Sequence, residues 1–497
     1  MSRAAAAAAR PPAVLVAATH SGAGKTTATA ALLRALRARG LAVQPFKHGP
    51  DFIDAAYHAE ASGRPAVNLD LWMMGAREVR ASFARACADA DVAVIEAMGA
   101  LHDGADGTAR GSAAALAVLL DVPVVVVLDV WGMTRTAGAL LDGLAGFDRR
   151  VRIVGCILNR VGSDRHAALV RTALPARWRR RVVGAIPQRP ELAIPERHLG
   201  LVTVEEHAAD ARDRARAQAR AEAGLDVDGL LARVPPPPRR RPRGGSGPAA
   251  GAARPASAPA AGGGARAAAG GRAAPAPAGG RRRRPRARIA IARDAAFCFT
   301  YADNLALLRD AGAELAPFSP LRDRRLPDGA GAVYLPGGYP ESFAAELAAN
   351  APLAAQLRAR AAAGMPVYAE CGGLLYLARG LTGFDGRRHA MAGLLPLEVA
   401  MDPAHLAIAY ARVRTRGDTP LGPAGTRARG QLFHQSRVVD AGLAPALYEL
   451  ETSDGRRWVD GWVRDRVVAS YVHLHFASNR ALARRLVAAA AAFAAGD

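Results

Sequence analysis

The amino-acid sequence predicts an α/β protein made of two domains. Over Val14–Gly229, short Val-rich runs alternate with Ala-, Leu- and Arg-rich helical stretches. Such continuous apolar runs are typical of a parallel sheet that helices cover on both faces. A second αβ alternation begins at Arg288, after a stretch with almost no large apolar side chains. A chain of 497 residues is long enough for two to four domains.

Four segments follow from this pattern. Residues 1–12 are predicted to be a disordered N-terminus, and residues 13–234 a first folded domain. Residues 235–287, rich in Pro, Ala, Gly and Arg, bury too little apolar surface to offset their ordering entropy and are predicted to be a disordered linker. Residues 288–497 form the second folded domain.

Individual elements can be placed on the same grounds. In the first domain, the predicted strands are Val14–Ala18, Val92–Ile95, Val122–Leu128, Val151–Leu158 and Val182–Ile186. In the second, strands are predicted at Arg288–Ala292, Val333–Leu335, Met365–Ala369 and Val467–His475, and helices at Ala302–Ala311, Ser342–Ala363 and Ala481–Ala495. The segment Gly386–Asp454 reads as mixed strand and loop.

Composition excludes several classes of protein. The formal charge of +22 suggests nucleic-acid binding, but 13 arginines and no acidic residue fall within Arg239–Arg288, so the folded parts are only mildly basic. The four cysteines form no CxxC pair, which argues against a disulfide framework or a zinc site. No apolar run is long enough to cross a membrane. We therefore expect a cytoplasmic protein without a specific nucleic-acid partner.

A glycine-rich loop follows the first strand and opens a helix. The candidate phosphate-binding residues are Gly22, Gly24, Lys25, Thr26 and Thr27. The glycines allow the backbone to approach phosphates, Lys25 can reach the outer phosphates, and the Thr26 hydroxyl can bind Mg²⁺. The usual spacing would place glycine at Thr19, but the strand–loop–helix context restores most of the specificity. The loop predicts a nucleotide site.

Acidic residues follow neighbouring strands of the same domain. Asp51 and Asp54 come after a Gly-Pro turn, Glu96 ends the strand Val92–Ile95, and Asp103 lies in a loop. Ligands bind at the carboxyl edge of open α/β sheets, and Mg²⁺ prefers a few carboxylates with phosphate oxygens. Alternatively, Asp51 or Asp54 caps the next helix.

A cysteine in the second domain lies at a strand–turn–helix junction. The helix N-terminus after Cys371 is expected to lower the thiol pKa, and the Gly372 N–H can donate to an oxyanion. The loop Leu335–Glu341 could supply a second donor. His473 and His475 share a face of the predicted late strand and are both candidate bases. The other cysteines fit buried, inert thiols: Cys87, Cys156 and Cys298.

Ordered motifs in both domains resemble the cobyrinate or hydrogenobyrinate a,c-diamide synthases of cobalamin biosynthesis. The resemblance covers nearly the whole chain except the linker and the first dozen residues. In the first domain it rests on Thr19–Thr27, Phe46–Asp54, Asn68–Met73, Ile157–Ser163 and Pro190–Leu201. In the second it rests on Phe318–Leu321, Gly337–Glu341, Glu370–Tyr376 and Ser470–Asn479.

The resemblance implies a fold and a reaction. It implies a P-loop, dethiobiotin-synthetase-like parallel-sheet domain joined to a class I glutamine amidotransferase α/β domain. The implied enzyme is a carbon–nitrogen ligase that takes its nitrogen from glutamine. It amidates the a and c carboxylates of the corrinoid through acyl phosphates, with ATP as co-substrate. The implied partners are the corrinoid, ATP and L-glutamine, and related enzymes suggest a homodimer.

The resemblance also assigns roles to residues. It implies that Lys25 and Thr26 bind ATP and Mg²⁺, and that Cys371 is the glutaminase nucleophile with His473 as its activator. The implied metal ligands are Thr26, Asp54 and Glu96, with Asp51 beside them, and the residues implied near the substrate are Asp51 and Asp103.

Some positions depart from the family pattern. The loop Ala97–Leu101 differs in sequence, and Gln431, Leu432 and Gln435 stand where the family has His, Glu and Tyr. His475 stands where many class I amidotransferases have a triad glutamate, which favours a Cys-His dyad. Three alternatives stay open: cobyric acid synthase, nickel-sirohydrochlorin diamide synthase, and a P-loop ATPase that binds DNA through its Arg-rich linker.

Overall fold

A computed structural model of the chain describes residues 10–192, 218–234 and 287–496. The predicted linker, 235–287, falls almost entirely outside these residues, and so do residues 1–9 of the predicted disordered N-terminus. Arg10 is described: its Nη2 donates to the Leu120 carbonyl at 3.0 Å, and its guanidinium lies 4.6 Å from the centre of the Phe83 ring.

The N-terminal half is built on a seven-stranded parallel sheet in the order β3-β2-β4-β1-β5-β6-β7. Its strands are β1 (Ala13–Ala18), β2 (Val43–His48), β3 (Val67–Leu69), β4 (Val92–Glu96), β5 (Val124–Asp129), β6 (Ile153–Val161) and β7 (Val182–Pro187). All five strands predicted for this half are confirmed, within a few residues at their ends. They read as continuous Val/Ile runs because both faces of the sheet are buried.

Helices pack on both faces of this sheet. They are α1 (Lys25–Ala38), α2 (Ile53–Ser62), α3 (Leu71–Ala86), α4 (Ala113–Leu120), α5 (Thr136–Phe147), α6 (Asp164–Ala173), α7 (Ala176–Arg179) and α8 (Val227–Arg233). Their apolar sides cover the sheet in two separate buried clusters. Parallel strands joined by helices bring the loops after β1, β2 and β4 to one edge of the sheet.

The C-terminal half contains three sheets. A six-stranded sheet has the order β20-β21-β11-β10-β8-β9, a four-stranded sheet β13-β12-β14-β17, and a five-stranded antiparallel sheet β19-β18-β15-β16-β22. The strands are β8 (Ala287–Ala292), β9 (Ala313–Phe318), β10 (Ala330–Leu335), β11 (Val367–Glu370), β12 (Gly380–Thr382), β13 (Arg388–Ala390), β14 (Leu397–Met401), β15 (Ala407–Thr415), β16 (Arg427–His434), β17 (Ser436–Ala441), β18 (Tyr448–Thr452), β19 (Arg457–Asp460), β20 (Trp462–Arg464), β21 (Val467–Ser470) and β22 (His473–Leu474). The helices are α9 (Ala302–Asp310), α10 (Ala344–Ala349), α11 (Ala351–Ala362), α12 (Gly372–Leu377) and α13 (Ala481–Ala494).

Two predicted elements of this half are interrupted. The long helix predicted for residues 342–363 is divided into α10 and α11, because Pro352 fits only the first turn of a helix. The single strand predicted for residues 467–475 is divided into β21, which pairs with β11, and β22, which pairs with β16. At the bend between them the Ser470 hydroxyl accepts a hydrogen bond from the Val472 N–H at 3.0 Å.

The two halves belong to one compact unit. Their contact, called the seam below, joins the loop after β2 and helix α3 to the C-terminal half. Its polar contacts include Gln431 Nε2 to the Pro50 carbonyl at 2.9 Å, Tyr410 OH to Asp70 Oδ2 at 2.6 Å, Arg480 to Glu78 at 2.7 Å, and the ion pair Arg85–Asp303. Within the described ranges, no helix is long and apolar enough to cross a membrane.

Candidate active sites

The glycine-rich loop between β1 and α1 is held from β6. The Asn159 side chain donates to the Ala23 carbonyl at 2.8 Å. A Cβ on Gly24 would lie 2.1 Å from Asn159 Nδ2, and Gly24 has a φ of 85°. Both the close approach of Asn159 and the left-handed backbone therefore require glycine at this position. Helix α1 begins at Lys25, whose Nζ donates to the His20 carbonyl at 3.1 Å. The loop therefore presents backbone N–H groups and an ammonium at one point, as a phosphate site needs.

A buried lysine lies between two carboxylates beside this loop. Lys47 of β2 pairs with Asp54 Oδ2 and donates to Glu96 Oε1 at 2.8 Å. The Thr26 hydroxyl is 3.1 Å from both Asp54 Oδ1 and Glu96 Oε1. His58 Nε2 lies 2.6 Å from Glu96 Oε2. The structure thus brings together the three predicted metal ligands, with a lysine at their centre.

Burial and charge compete in this cluster. Burial disfavours the ammonium, but Asp54 and Glu96 outweigh it and raise the pKa of Lys47. Burial also raises the pKa of Asp54, to about 7, although the positive charge of Lys47 acts to lower it. For Glu96 the effect of burial is overcome by Lys47 and His58, which hold its pKa below the usual range. The positive charge of Lys47 therefore offsets the free-energy cost of burying the two carboxylates away from water.

The ligand chemistry of the cluster suits Mg²⁺. Hydroxyl and carboxylate oxygens converge there, and Mg²⁺ in nucleotide sites uses few protein ligands because phosphate oxygens and waters supply the rest. Among the described residues, no group of three or more His, Cys, Asp and Glu side chains could hold a metal by itself.

The other two predicted acids are placed differently. Asp51 Oδ1 accepts hydrogen bonds from the N–H groups of Ile53, at 2.7 Å, and Asp54, at 3.0 Å. Asp51 therefore caps the start of α2, which is the alternative that the sequence left open. Asp103 is exposed in the loop after β4. Their assignment to the substrate stays a prediction.

In the C-terminal half, Cys371 sits on a strained turn between β11 and α12. Its φ of 46° and ψ of −104° are unusual for a residue with a side chain. A Cβ on Gly372 would lie 2.9 Å from the Gly338 nitrogen, so the N–H groups of Gly372 and Gly338 lie close together beside the thiol. This proximity fits the two predicted oxyanion donors.

The Cys371 thiol is buried and contacts a backbone carbonyl. Sγ lies 3.6 Å from the Phe433 carbonyl, and burial, with Glu341 nearby, raises the thiol pKa above its usual range. The Gly372 N–H at the start of α12 does lower the thiol pKa, as expected, but burial outweighs it because desolvation of the thiolate dominates.

His473 lies against the loop after β10, without a hydrogen-bond partner. Within the described part of the chain, neither of its ring nitrogens is paired, and the side chain is fully buried. A Cβ on Gly337 would lie 2.2 Å from His473 Cε1. Burial lowers the pKa of His473 to about 3, so the imidazole is neutral.

His475 is used differently. Its Nδ1 accepts a hydrogen bond from the Ala477 N–H at 3.3 Å, and its ring packs 4.7 Å from that of Tyr301. Between the two histidines, the Leu474 N–H donates to Glu370 Oε1 at 2.9 Å. Glu370 directly precedes Cys371 and so connects the histidine segment to the Cys371 turn.

A cavity of about 520 Å³ opens onto Cys371. Its lining includes Glu341, Phe433, His434 and Gln435. The three residues that depart from the family pattern in this region have different surroundings. Gln435 lines this cavity, Leu432 is in the core, and Gln431 forms hydrogen bonds across the seam.

The sequence reasoning missed three features. It gave no role to Lys47. Lys25 and Lys47 are the only lysines in a sequence with 66 basic residues, and this rarity could have indicated a specific role for Lys47. It overlooked the cavity-lining His434, stacked on Tyr471 with centroids 3.8 Å apart. It also overlooked Phe52, whose ring lies 5.2 Å from that of His473 across the seam.

Both halves match known domain families. Residues 14–202 match the CobQ/CobB/MinD/ParA nucleotide binding domain. Residues 288–481 match the CobB/CobQ-like glutamine amidotransferase domain. These matches confirm the fold class that the sequence predicts for each half.

Curated relatives match over the whole chain. A cobyrinate a,c-diamide synthase of Syntrophotalea carbinolica is 41% identical, covering 96% of this chain and 98% of the relative. A hydrogenobyrinate a,c-diamide synthase of Streptomyces coelicolor is 40% identical, covering 96% and 97%. One of Mycobacterium tuberculosis is 41% identical, covering 97% and 98%. The chain therefore belongs to the family of cobyrinate and hydrogenobyrinate a,c-diamide synthases.

Proposed function

We propose that the chain converts cobyrinate or hydrogenobyrinate into its a,c-diamide, using ATP and the side-chain nitrogen of glutamine. The observation that carries the proposal is the seam. Phe52 lies between Asp51 and Asp54 at the start of α2, and its ring lies 5.2 Å from that of His473 in the other half. The side chain of Phe52 thus connects the segment that carries Asp51 and Asp54 with the segment that carries His473.

In the first reaction, a corrinoid carboxylate attacks the γ-phosphorus of ATP, ADP leaves, and an acyl phosphate forms. Ammonia then attacks the acyl carbon, and phosphate departs. Lys25 stabilises the charge on the transferring group. Thr26, Asp54 and Glu96 would hold Mg²⁺, which when bound neutralises phosphate charge. Lys47 keeps the two carboxylates in place.

In the second reaction, Cys371 releases ammonia from glutamine. The thiol leaves the Phe433 carbonyl, gives its proton to His473, and attacks the amide carbon of glutamine. The oxyanion faces the N–H groups of Gly372 and Gly338. His473 returns the proton to the leaving ammonia, and water then hydrolyses the thioester to glutamate and free thiol.

Ammonia must reach the acyl phosphate without being protonated. A cluster of buried side chains fills the seam between the two sites: Phe52, Ile53, Tyr57, Trp72, Met73, Phe299, Tyr301 and Tyr339. Such an apolar region excludes water and favours the neutral amine over ammonium. We propose that ammonia passes along it.

The test is mass spectrometry of cobyrinate and, separately, hydrogenobyrinate after incubation with the protein, Mg-ATP and glutamine. Two amidations of either corrinoid, dependent on all three components, are expected. The substrate that reacts decides whether the ring carries cobalt. More than two amidations would point to cobyric acid synthase. If neither corrinoid changes while glutamine is hydrolysed, the substrate assignment is overturned.

A Gly337→Ala substitution is expected to reduce the glutaminase reaction selectively. The added methyl would meet the His473 ring at 2.2 Å and displace it. We expect glutamine-dependent amidation to fall about 100-fold, in line with loss of a general base, while ammonia-dependent amidation changes little.

The matched control for this substitution is Gly417→Ala, because a Cβ at Gly417 meets nothing within 4 Å. Equal loss of the glutamine- and ammonia-dependent rates in Gly337→Ala would show general misfolding instead.

Several finer assignments remain predictions. These are the substrate roles of Asp51 and Asp103, the Mg²⁺ requirement, the homodimer, the cytoplasmic location and the absence of a specific nucleic-acid partner. The domain limits 13–234 and 288–497 are supported by the one sheet of the N-terminal half and the three sheets of the C-terminal half, which lie within them except for Ala287, the first residue of β8.

A further inference from the structure

One face of the five-stranded sheet is strongly cationic. Arg412 lies directly opposite Arg429, and Arg414 directly opposite Arg427, on the paired strands β15 and β16. With a fifth arginine on β19 they line an open groove of about 800 Å³. We call this the arginine face; its members are Arg412, Arg414, Arg427, Arg429 and Arg457.

The arrangement costs stability locally. Like charges directly opposite each other on neighbouring strands are destabilising, and only two glutamates of β18 lie among the five arginines. Among the described residues, Arg427 pairs with no carboxylate. The ion pairs are Arg412–Glu451 at 3.4 Å, Arg414–Glu449 at 3.3 Å and Arg457–Glu451 at 3.2 Å. Residues whose placement lowers the stability of the fold in this way often belong to a ligand-binding site.

Strand β16 connects this face to the reaction sites. The Phe433 carbonyl faces the Cys371 thiol, and Gln431 donates to the Pro50 carbonyl at the seam. Arg429 and Arg427 lie on the same face of β16 as Gln431, roughly 7 and 14 Å from it along the strand. The arginine face therefore begins beside the loop that leads from Pro50 and Asp51 into α2.

Contacts with α3 fix the inner end of the face. Arg429 Nη1 donates to the Trp72 carbonyl at 2.8 Å, and the Arg412 guanidinium lies 5.2 Å from the centre of the Trp72 ring. Trp72 is stacked on Tyr410, whose hydroxyl donates to Asp70. The inner arginines are thus anchored to the N-terminal half, and the outer ones project into the groove.

We propose that the arginine face binds carboxylates of the corrinoid that are not amidated. This rests on the proposed function, because cobyrinate and hydrogenobyrinate carry further carboxylates around the ring besides the two that react. Guanidinium groups bind carboxylates through paired N–H donors. Several such contacts would orient the ring and present one carboxylate at a time to the phosphate site.

The test compares the wild-type chain with the double variant Arg414→Gln/Arg427→Gln. We expect KM for the corrinoid to rise about tenfold, while KM for ATP and for glutamine stay within about twofold. The dissociation constant of the corrinoid, measured by equilibrium dialysis, should rise by a similar factor and depend less steeply on salt. The matched control is Arg379→Gln/Arg388→Gln, which removes two equally exposed arginines that pair with Glu398 on another sheet.

The outcomes separate this inference from the proposed function. If wild-type protein makes the diamide and the double variant keeps the wild-type KM and dissociation constant for the corrinoid, the inference is overturned and the function stands. The same holds if the variant loses a dimer in sedimentation at unchanged KM, because the face would then be an interface between copies. If wild-type protein makes no diamide, the function falls, and equal corrinoid dissociation constants for both proteins would overturn the inference as well.

Discussion

Replacing Cys371 with alanine is expected to abolish amide formation from glutamine while leaving amide formation from ammonia nearly intact. The thiol sits on the strained turn before α12 and opens onto the 520 Å³ cavity. Loss of a catalytic nucleophile typically reduces kcat by about 10⁴-fold or more. The measurement is diamide formation with saturating glutamine or with ammonium at a pH near 9, where free ammonia is abundant.

Cys298→Ala is the control for this prediction. Cys298 is half-buried beside the aromatic residues of the seam, so this variant also loses a thiol of the same half. It should keep both reactions. Retention of glutamine-dependent amidation in Cys371→Ala would contradict the assignment, and loss of both reactions would place Cys371 in the structural core instead.

Replacing Lys47 with methionine is expected to destabilise the protein and abolish the ATP-dependent reaction. The substitution leaves Asp54 and Glu96 buried without their cation. Removing one partner of a buried charge cluster costs about 3–5 kcal/mol in the free energy of unfolding. Urea unfolding and amide formation with ammonia, the route that does not need Cys371, measure the two effects separately.

The two lysines of the chain provide an internal control. Lys25 donates only to the His20 carbonyl among the described residues, so Lys25→Met should change the free energy of unfolding by less than about 1 kcal/mol and still abolish the reaction. The double variant Lys47→Met/Glu96→Gln should recover much of the lost stability, because a buried charge is removed with its partner. If Lys47→Met is as stable as wild type, the buried cluster is not as the structure has it.

Motifs with a fixed local geometry were predictable from the sequence. The loop Gly22–Thr27 and the turn at Cys371 each depend on a strand, a few glycines and a helix start within about ten residues. Backbone sterics within such a short segment leave few alternatives. The buried strands of the N-terminal half were equally clear, because a parallel sheet covered on both faces needs continuous apolar runs.

Residues whose partners are distant in sequence could not be placed in the same way. The bend between β21 and β22 arises because β21 pairs with β11 and β22 with β16, and both partner strands are distant in the chain. The raised pKa of the Cys371 thiol has the same origin, since burial is a property of the whole fold.

The sequence by itself determined the α/β class, the glycine-rich loop between β1 and α1, the strand–turn–helix setting of Cys371 and the family. Only the tertiary structure decided that Lys47 lies between Asp54 and Glu96, that Phe52 reaches His473, and that the strands β15 and β16 set their arginines opposite each other. The physical reason is the range of the interactions. Chain geometry fixes contacts between near neighbours, whereas buried charges and seam contacts exist only once distant segments have packed together.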